Sequence, residues 1–237
     1  MTSFQPFSLT HLGVVALFAA LASLWIGAAR AWRGTAAGAR LERFVAAVLL
    51  ITWTTSSGLG LLPGRFSVAT ELPIQLCDIT ALLVPLALLV PRRRIFALLY
   101  FWGLALSSQG IFTPDLHNGP ATLDFWLFWT RHMSIVAGAA YVVIAQAFRP
   151  RWRDFALAVK LGLGYCAVVF LLDVAFGFNY GFLGSANPKQ RSILDVLGPW
   201  PERVLVIAAL GCLAMFLLQI PWIVAQRLVE RPLAAKT

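Results

Sequence analysis

The chain has 237 residues, 59% of them hydrophobic and only 12% charged, with a mean hydropathy of +0.78. A soluble domain is about 45 to 50% apolar and about 25% charged, so the composition excludes an ordinary water-soluble enzyme, a disordered tail and a disulfide-stapled secreted module. The net charge of +9, from 19 basic and 10 acidic residues, lies largely between apolar stretches, where it reads as membrane topology and not as a nucleic-acid surface.

An apolar run of about 20 residues crosses the roughly 30 Å hydrocarbon core as a helix. Seven such runs follow in chain order: Leu9 to Ala29, Phe44 to Leu62, Leu72 to Val90, Ile95 to Thr113, Phe125 to Phe148, Phe155 to Phe176 and Val204 to Gln226. The stretch before the first run is uncharged and lacks the basic start of a signal peptide, so that run counts as a span. The predicted fold is all-α: a polytopic, seven-transmembrane-helix bundle forming a single domain over residues 1–237. Alternate connections carry thirteen basic residues on one side, from Arg30 to Lys236, against Arg65, Lys189, Arg191 and Arg203 on the other. That asymmetry places the N-terminus outside and the C-terminus in the cytoplasm.

Polar residues within the runs gather towards the outer side. Counting from the outer end at 1.5 Å per residue, Cys77 and Asp78 of the third run lie about 8 to 9 Å deep, and Arg131 and His132 of the fifth about 9 to 11 Å. Gln109 and Asp173, near the outer ends of the fourth and sixth runs, lie about 5 to 6 Å deep. His11, Glu71 and Gln75 fall near the same edge, whereas Lys160 is close enough to the inner edge to snorkel.

Each of these residues has a plain reading beside a chemical one. A cysteine in an apolar helix is ordinarily a small hydrophobe, and Cys166 and Cys212 are read that way. His132 is either a hydrogen-bonded core histidine or a base, and Arg131 either an ion-pair partner of Asp78 or Asp173 or a charge for a substrate. Gln109 suits interhelical hydrogen bonding. Matching depth distinguishes Cys77: a thiol becomes a nucleophile when a histidine within reach takes its proton. Phospholipid ester bonds lie between headgroup and chains, near this depth. An attack there makes an acyl thioester, with Gln75, Gln109 or Arg131 available to the oxyanion, and the acyl group then passes to a second lipid in a transferase or to water in a hydrolase. The three cysteines are dispersed and no histidine stands at metal-ligand spacing. With no nucleotide or haem motif either, the expectation is no metal and no cofactor, and membrane lipid as the partner.

Four segments carry a family likeness: Leu72 to Asp78 (LPIQLCD), Gln109 to Leu116 (QGIFTPDL), Arg131 and His132 within FWLFWTRHM, and Asn179 and Tyr180 followed by Leu194 to Pro201 (LDVLGPWP). Nearly the whole chain resembles the YwaF-type bacterial integral membrane proteins, which in turn are similar to the transmembrane protein 164 family. The resemblance implies a multi-pass protein of the bacterial cytoplasmic membrane and cysteine-dependent acyl transfer between phospholipids. Its essential pair then falls on Cys77 and His132. Beside that pair, the polar residues Gln75, Asp78, Gln109, Arg131, Asp173 and Asn179 are read as supporting or substrate-binding. The alternative is a non-enzymatic transporter or a receptor for lipids or small molecules, with an outward-facing polar pocket. The inner half of the spans is poor in polar residues and shows no inverted repeat, which argues against transport by alternating access.

Overall fold

The computed structural model describes residues 4–64, 66–185 and 196–234, and side chains only as far as residue 228 in the last helix. Arg65, Lys189, Arg191 and Lys236, four of the charges used for the topology, and the first two residues of LDVLGPWP lie outside the described residues. Among the described residues the chain is helical throughout, with no strand. It divides into two compact units, 1–148 and 149–237.

The first unit holds α1 (Leu9–Ala31), α2 (Ala36–Gly60), α3 (Leu76–Leu89) and α4 (Arg93–Phe101). A π-helical turn, Trp102–Ser107, leads into the short α5 (Gln109–Phe112), and α6 (Leu123–Ile144) follows. The second unit holds α7 (Trp152–Phe176), a 3-10 turn at Tyr180–Phe182 and α8 (Glu202–Ala234). Helix forms within each of the seven apolar runs. Among the described residues five helical stretches are long and apolar enough to cross a membrane: Leu9–Ala31, Arg93–Phe112, Leu123–Ile144, Trp152–Phe176 and Glu202–Leu228. The chain is thus a multi-pass membrane protein. Of the other two, α2 has 25 residues but carries Arg40, Glu42 and Arg43 in its first half, and α3 has 14 residues, a rise of about 21 Å.

Local chemistry moves several boundaries away from the apolar runs. Helix α2 begins at Ala36, eight residues before Phe44, because the Thr35 hydroxyl accepts the Gly38 N–H at 3.1 Å and caps the helix there; charged residues do not stop a helix that is already nucleated. Helix α3 begins four residues after Leu72. Pro73 lies in this stretch, turns occupy Ser67–Thr70, and Gln75 takes extended backbone angles as the N-cap. Helix α6 ends at Ile144 and not Phe148, since Ala147 adopts a left-handed conformation, φ 53°, which an α-helix does not tolerate.

Helix α6 is the hub of the first unit, packing against α1, α2, α3, α4, the π-turn and α5. Small residues allow this. A β-carbon on Gly138 would stand 2.9 Å from a Val84 methyl of α3, and one on Gly103 would stand 3.1 Å from Ile135. Helices that pack in lipid rely on such close approach because no hydrophobic effect drives them together. Towards the start of α6, Phe125, Trp129 and Met133 form a buried cluster with Phe4 and with Val14 of α1. Towards its other end the Tyr141 hydroxyl donates to Glu42 of α2, and Gln146 donates to the same carboxylate at 3.1 Å. In the second unit α7 packs on α8. Both expose long apolar side chains, among them Val168, Leu171 and Val174 on α7 and Leu205, Leu213 and Leu217 on α8, a surface suited to lipid and not to water.

Candidate functional site

Cys77 and Asp78 are the second and third residues of α3. The depth reckoned from Leu72 included residues that are not helical, so both belong to the first turn of the helix. There the unpaired backbone N–H groups and the helix dipole favour negative charge, whether a carboxylate or a thiolate. The Asp78 N–H donates to the Gln75 carbonyl at 2.9 Å. The Trp53 indole of α2 donates to the Asp78 carbonyl at 2.9 Å, fixing the start of α3 against α2. Gln75 is the N-cap by position, but its side chain does not cap the helix.

The Asp78 carboxylate is buried and pairs with the Arg131 guanidinium of α6, so of the two partners open to Arg131 in the sequence the structure uses Asp78. One nitrogen makes that contact; the Arg131 Nε is buried and has no hydrogen-bond partner among the described residues. A small recess beside the pair is lined by Thr52, Trp53 and Ser56 of α2 and by Thr130, Arg131 and Ser134 of α6. Ser107, the last residue of the π-turn, lies within side-chain reach of the Cys77 thiol. Its Oγ is fully buried and meets no partner in hydrogen-bonding geometry.

His132 is buried and stacks on Phe128, ring centroids 4.1 Å apart. Its Nδ1 lies 2.9 Å from the Phe128 carbonyl. A carbonyl only accepts, so Nδ1 carries the proton and the neutral ring keeps its lone pair on Nε2, the arrangement of a base. Gly110 stands at that edge of the ring: a β-carbon there would lie 2.7 Å from Nε2 and 2.4 Å from Cδ2. Cys77 and His132 share no hydrogen bond, but one short segment touches both, through Ser107 at the thiol and Gly110 at the imidazole. That segment is itself held by His11 of α1. The His11 Nδ1 accepts the Phe7 N–H at 2.8 Å, so its Nε2 carries the proton and donates to the Ile111 carbonyl at 3.0 Å. With both nitrogens used and Phe4, Phe7 and Trp129 around the ring, His11 is a structural clamp.

The remaining sequence candidates are Gln109, Asp173 and Asn179. The Gln109 side chain is exposed. Asp173 and Asn179 belong to the second unit, where they fold a loop. One Asp173 oxygen accepts the Tyr180 N–H at 3.0 Å while the other is buried without a partner among the described residues. The Asn179 side-chain oxygen accepts the Gly184 N–H at 3.0 Å. Trp200 donates to the Leu183 carbonyl at 3.0 Å and Arg203 to the Gly184 carbonyl at 2.6 Å, so the tryptophan of the LGPWP element ties down the same loop. Cys166 and Cys212 are free thiols, half-buried on α7 and α8.

The sequence reading missed Ser107, Gly110 and Trp53. The first two sit with Gln109 in Ser107 to Gly110 (SSQG), a polar end on an apolar run, and that run of small and polar residues was the available signal. Trp53 gave none, being one aromatic residue in an apolar helix. Among the described residues no group of three or more metal-binding side chains comes together.

No curated protein and no solved structure matches the chain. The model of the TMEM164 family matches it over residues 4–219, from the segment before α1 into α8. The chain is therefore a member of the TMEM164 family.

Proposed function

We propose that this protein is a membrane-embedded acyltransferase that moves a fatty acyl group between phospholipids through a thioester on Cys77. It works as a seven-span bundle in the bacterial cytoplasmic membrane, with the N-terminus outside, the C-terminus inside and the site towards the outer leaflet. The observation that carries this reading is the arrangement around one helix start: a thiol in the first turn of α3, the Asp78–Arg131 pair beside it, and a histidine whose Nε2 keeps its lone pair, joined to the thiol through one short segment.

In the proposed reaction His132 takes the thiol proton and the Cys77 sulfur attacks the carbonyl carbon of an acyl ester. The ester C–O bond breaks, the departing lysolipid oxygen receives the proton from His132, and the acyl group remains on sulfur. A second lysolipid hydroxyl then gives its proton to His132, attacks the thioester carbonyl and releases the thiolate, which recovers the proton. The Arg131 guanidinium supplies positive charge for the oxyanion that forms in each half. The buried ion pair alone is equally consistent with a structural tie.

The test is acyl exchange in nanodiscs by the purified chain, with phosphatidylcholine as donor and a lysophospholipid as acceptor. The wild type is expected to exchange acyl groups, and Cys77→Ala and His132→Ala to lose the activity by about a hundredfold or more. Exchange that survives Cys77→Ala contradicts the mechanism. A wild type that exchanges nothing while binding lipid in a saturable way favours the receptor reading.

A further inference from the structure

Serine and threonine hydroxyls inside a helix have an inexpensive local partner, a carbonyl one turn back. This chain uses it repeatedly: Thr80 donates to the Leu76 carbonyl at 2.7 Å, Ser108 to Leu104 at 2.7 Å, Ser134 to Arg131 at 2.8 Å and Thr52 to Val48 at 2.9 Å. Ser107 does not. Its hydroxyl is fully buried and unpaired, although its neighbour Ser108 is satisfied. A buried hydroxyl left without a partner is destabilising, and such a group in a native fold calls for an explanation.

The π-helical turn supplies one. Trp102–Ser107 departs from α-helical spacing, and an extra residue in a turn rotates everything after it by roughly 100°. The π-turn packs against α3, and there Ser107 lies within side-chain reach of the Cys77 thiol. The turn is seated by Gly103, which packs closely on α6, a β-carbon there standing 3.1 Å from the Ile135 methyl and 3.4 Å from Ala139, and the segment beyond it is fixed by the His11 contact to Ile111. Both the position of Ser107 and its direction are therefore built into the packing.

The geometry points to Ser107 as a positioning residue for the Cys77 nucleophile: its hydroxyl is kept free of local bonds so that it donates to the sulfur when the thiol gives up its proton. The Ser107 O–H stays intact in this role; it neither accepts nor passes on the proton that leaves the sulfur. The inference rests on the reading of Cys77 as the nucleophile and adds the residue that holds it. A thiolate in an apolar bundle needs a donor in place of the water it has lost. Ser107 supplies a side-chain donor from the π-turn, whose hydroxyl has no other partner among the described residues.

The test separates this role from the acyl-transfer reading. In the full chain carrying Cys166→Ala and Cys212→Ala, Cys77 is the remaining thiol, and its alkylation by N-ethylmaleimide at neutral pH is followed by mass spectrometry in detergent micelles. Ser107→Ala is expected to slow alkylation about tenfold or more, and Ser107→Thr, which keeps the hydroxyl, to stay near the parent rate. A tryptophan-fluorescence melt on each variant checks the fold. Equal rates for the parent and Ser107→Ala overturn the proposal; so does equal slowing by Ala and Thr, which assigns the effect to packing. A clear Ala effect with Thr rescue in a protein that exchanges no acyl groups sustains the Ser107 role and removes the lipid substrate.

Discussion

Gly110 has no room for a β-carbon because the His132 ring occupies the space, 2.4 Å from where that atom would sit. The ring is pinned on its other side by Phe128, through stacking and through the Nδ1 hydrogen bond. Gly110→Ala therefore has to displace the imidazole edge that carries the lone pair. Misplacement of a catalytic group by about 1 Å costs on the order of a hundredfold, so acyl exchange is expected to fall by about that factor while Cys77 remains open to alkylation. Unchanged exchange in Gly110→Ala argues against His132 as the base. The Asp78–Arg131 pair gives a second test. Removing one partner strands a charge, at a cost of about 3 to 5 kcal/mol for a fully buried pair, and less here because Arg131 is partly exposed. Asp78→Asn is expected to lower the melting temperature more than Asp78→Asn with Arg131→Gln does, a coupling that a double-mutant cycle reads directly. At this scale the sequence marked Cys77, Asp78, Arg131 and His132 by chemistry and depth. Ser107 and Gly110 escaped it because their importance lies in the direction a turn faces, and residue spacing alone carries no azimuth across a π-turn.

The helices explain why the apolar runs were legible and the ends of the helices were not. Apolar runs announce a helix, but caps and breakers fix its ends. Thr35 starts α2 well before the apolar residues begin, and Gln75 starts α3 only after Pro73 is passed. The late start of α3 matters for the site, since it moves Cys77 from the second turn of the predicted helix into the first turn of the observed one. Helix α6 appeared in the sequence as one more apolar span; its central place follows from Ala137, Gly138 and Ala139, small residues that let other helices approach. Gly138→Ala places a methyl group 2.9 Å from Val84. Overpacking of this kind costs about 1 to 3 kcal/mol, so the midpoint of unfolding in mixed micelles is expected to fall, with Val84→Ala in the same chain restoring part of the loss. A midpoint that does not move shows that α3 and α6 are free to separate there.

For the whole chain, composition was enough to assign a membrane protein, and family membership over residues 4–219 agrees with the likeness read from short motifs. Orientation rests on charge: thirteen basic residues on one side of the predicted spans against four on the other. A reporter that matures only in the cytoplasm, fused after residue 237, is expected to be active, and the same reporter fused at residue 118, between α5 and α6, to be silent; the opposite pattern inverts the topology and moves the site to the inner leaflet. The boundary between the two compact units was not legible in the sequence, because both are built of the same apolar helices and the basic RPRWR stretch after Phe148 looks like any other connection between spans.

The central claim is a covalent one: an acyl group sits on the Cys77 sulfur during turnover. The measurement is peptide mass spectrometry on the wild-type chain, quenched in acid after brief incubation with a phospholipid whose acyl chain carries an isotopic label. The account predicts the labelled acyl mass on the peptide containing Cys77, released by neutral hydroxylamine and absent when acceptor-free lipid is offered to His132→Ala. Acyl exchange that proceeds with Cys77 unmodified, or a label found on Cys166 or Cys212 in its place, would contradict it.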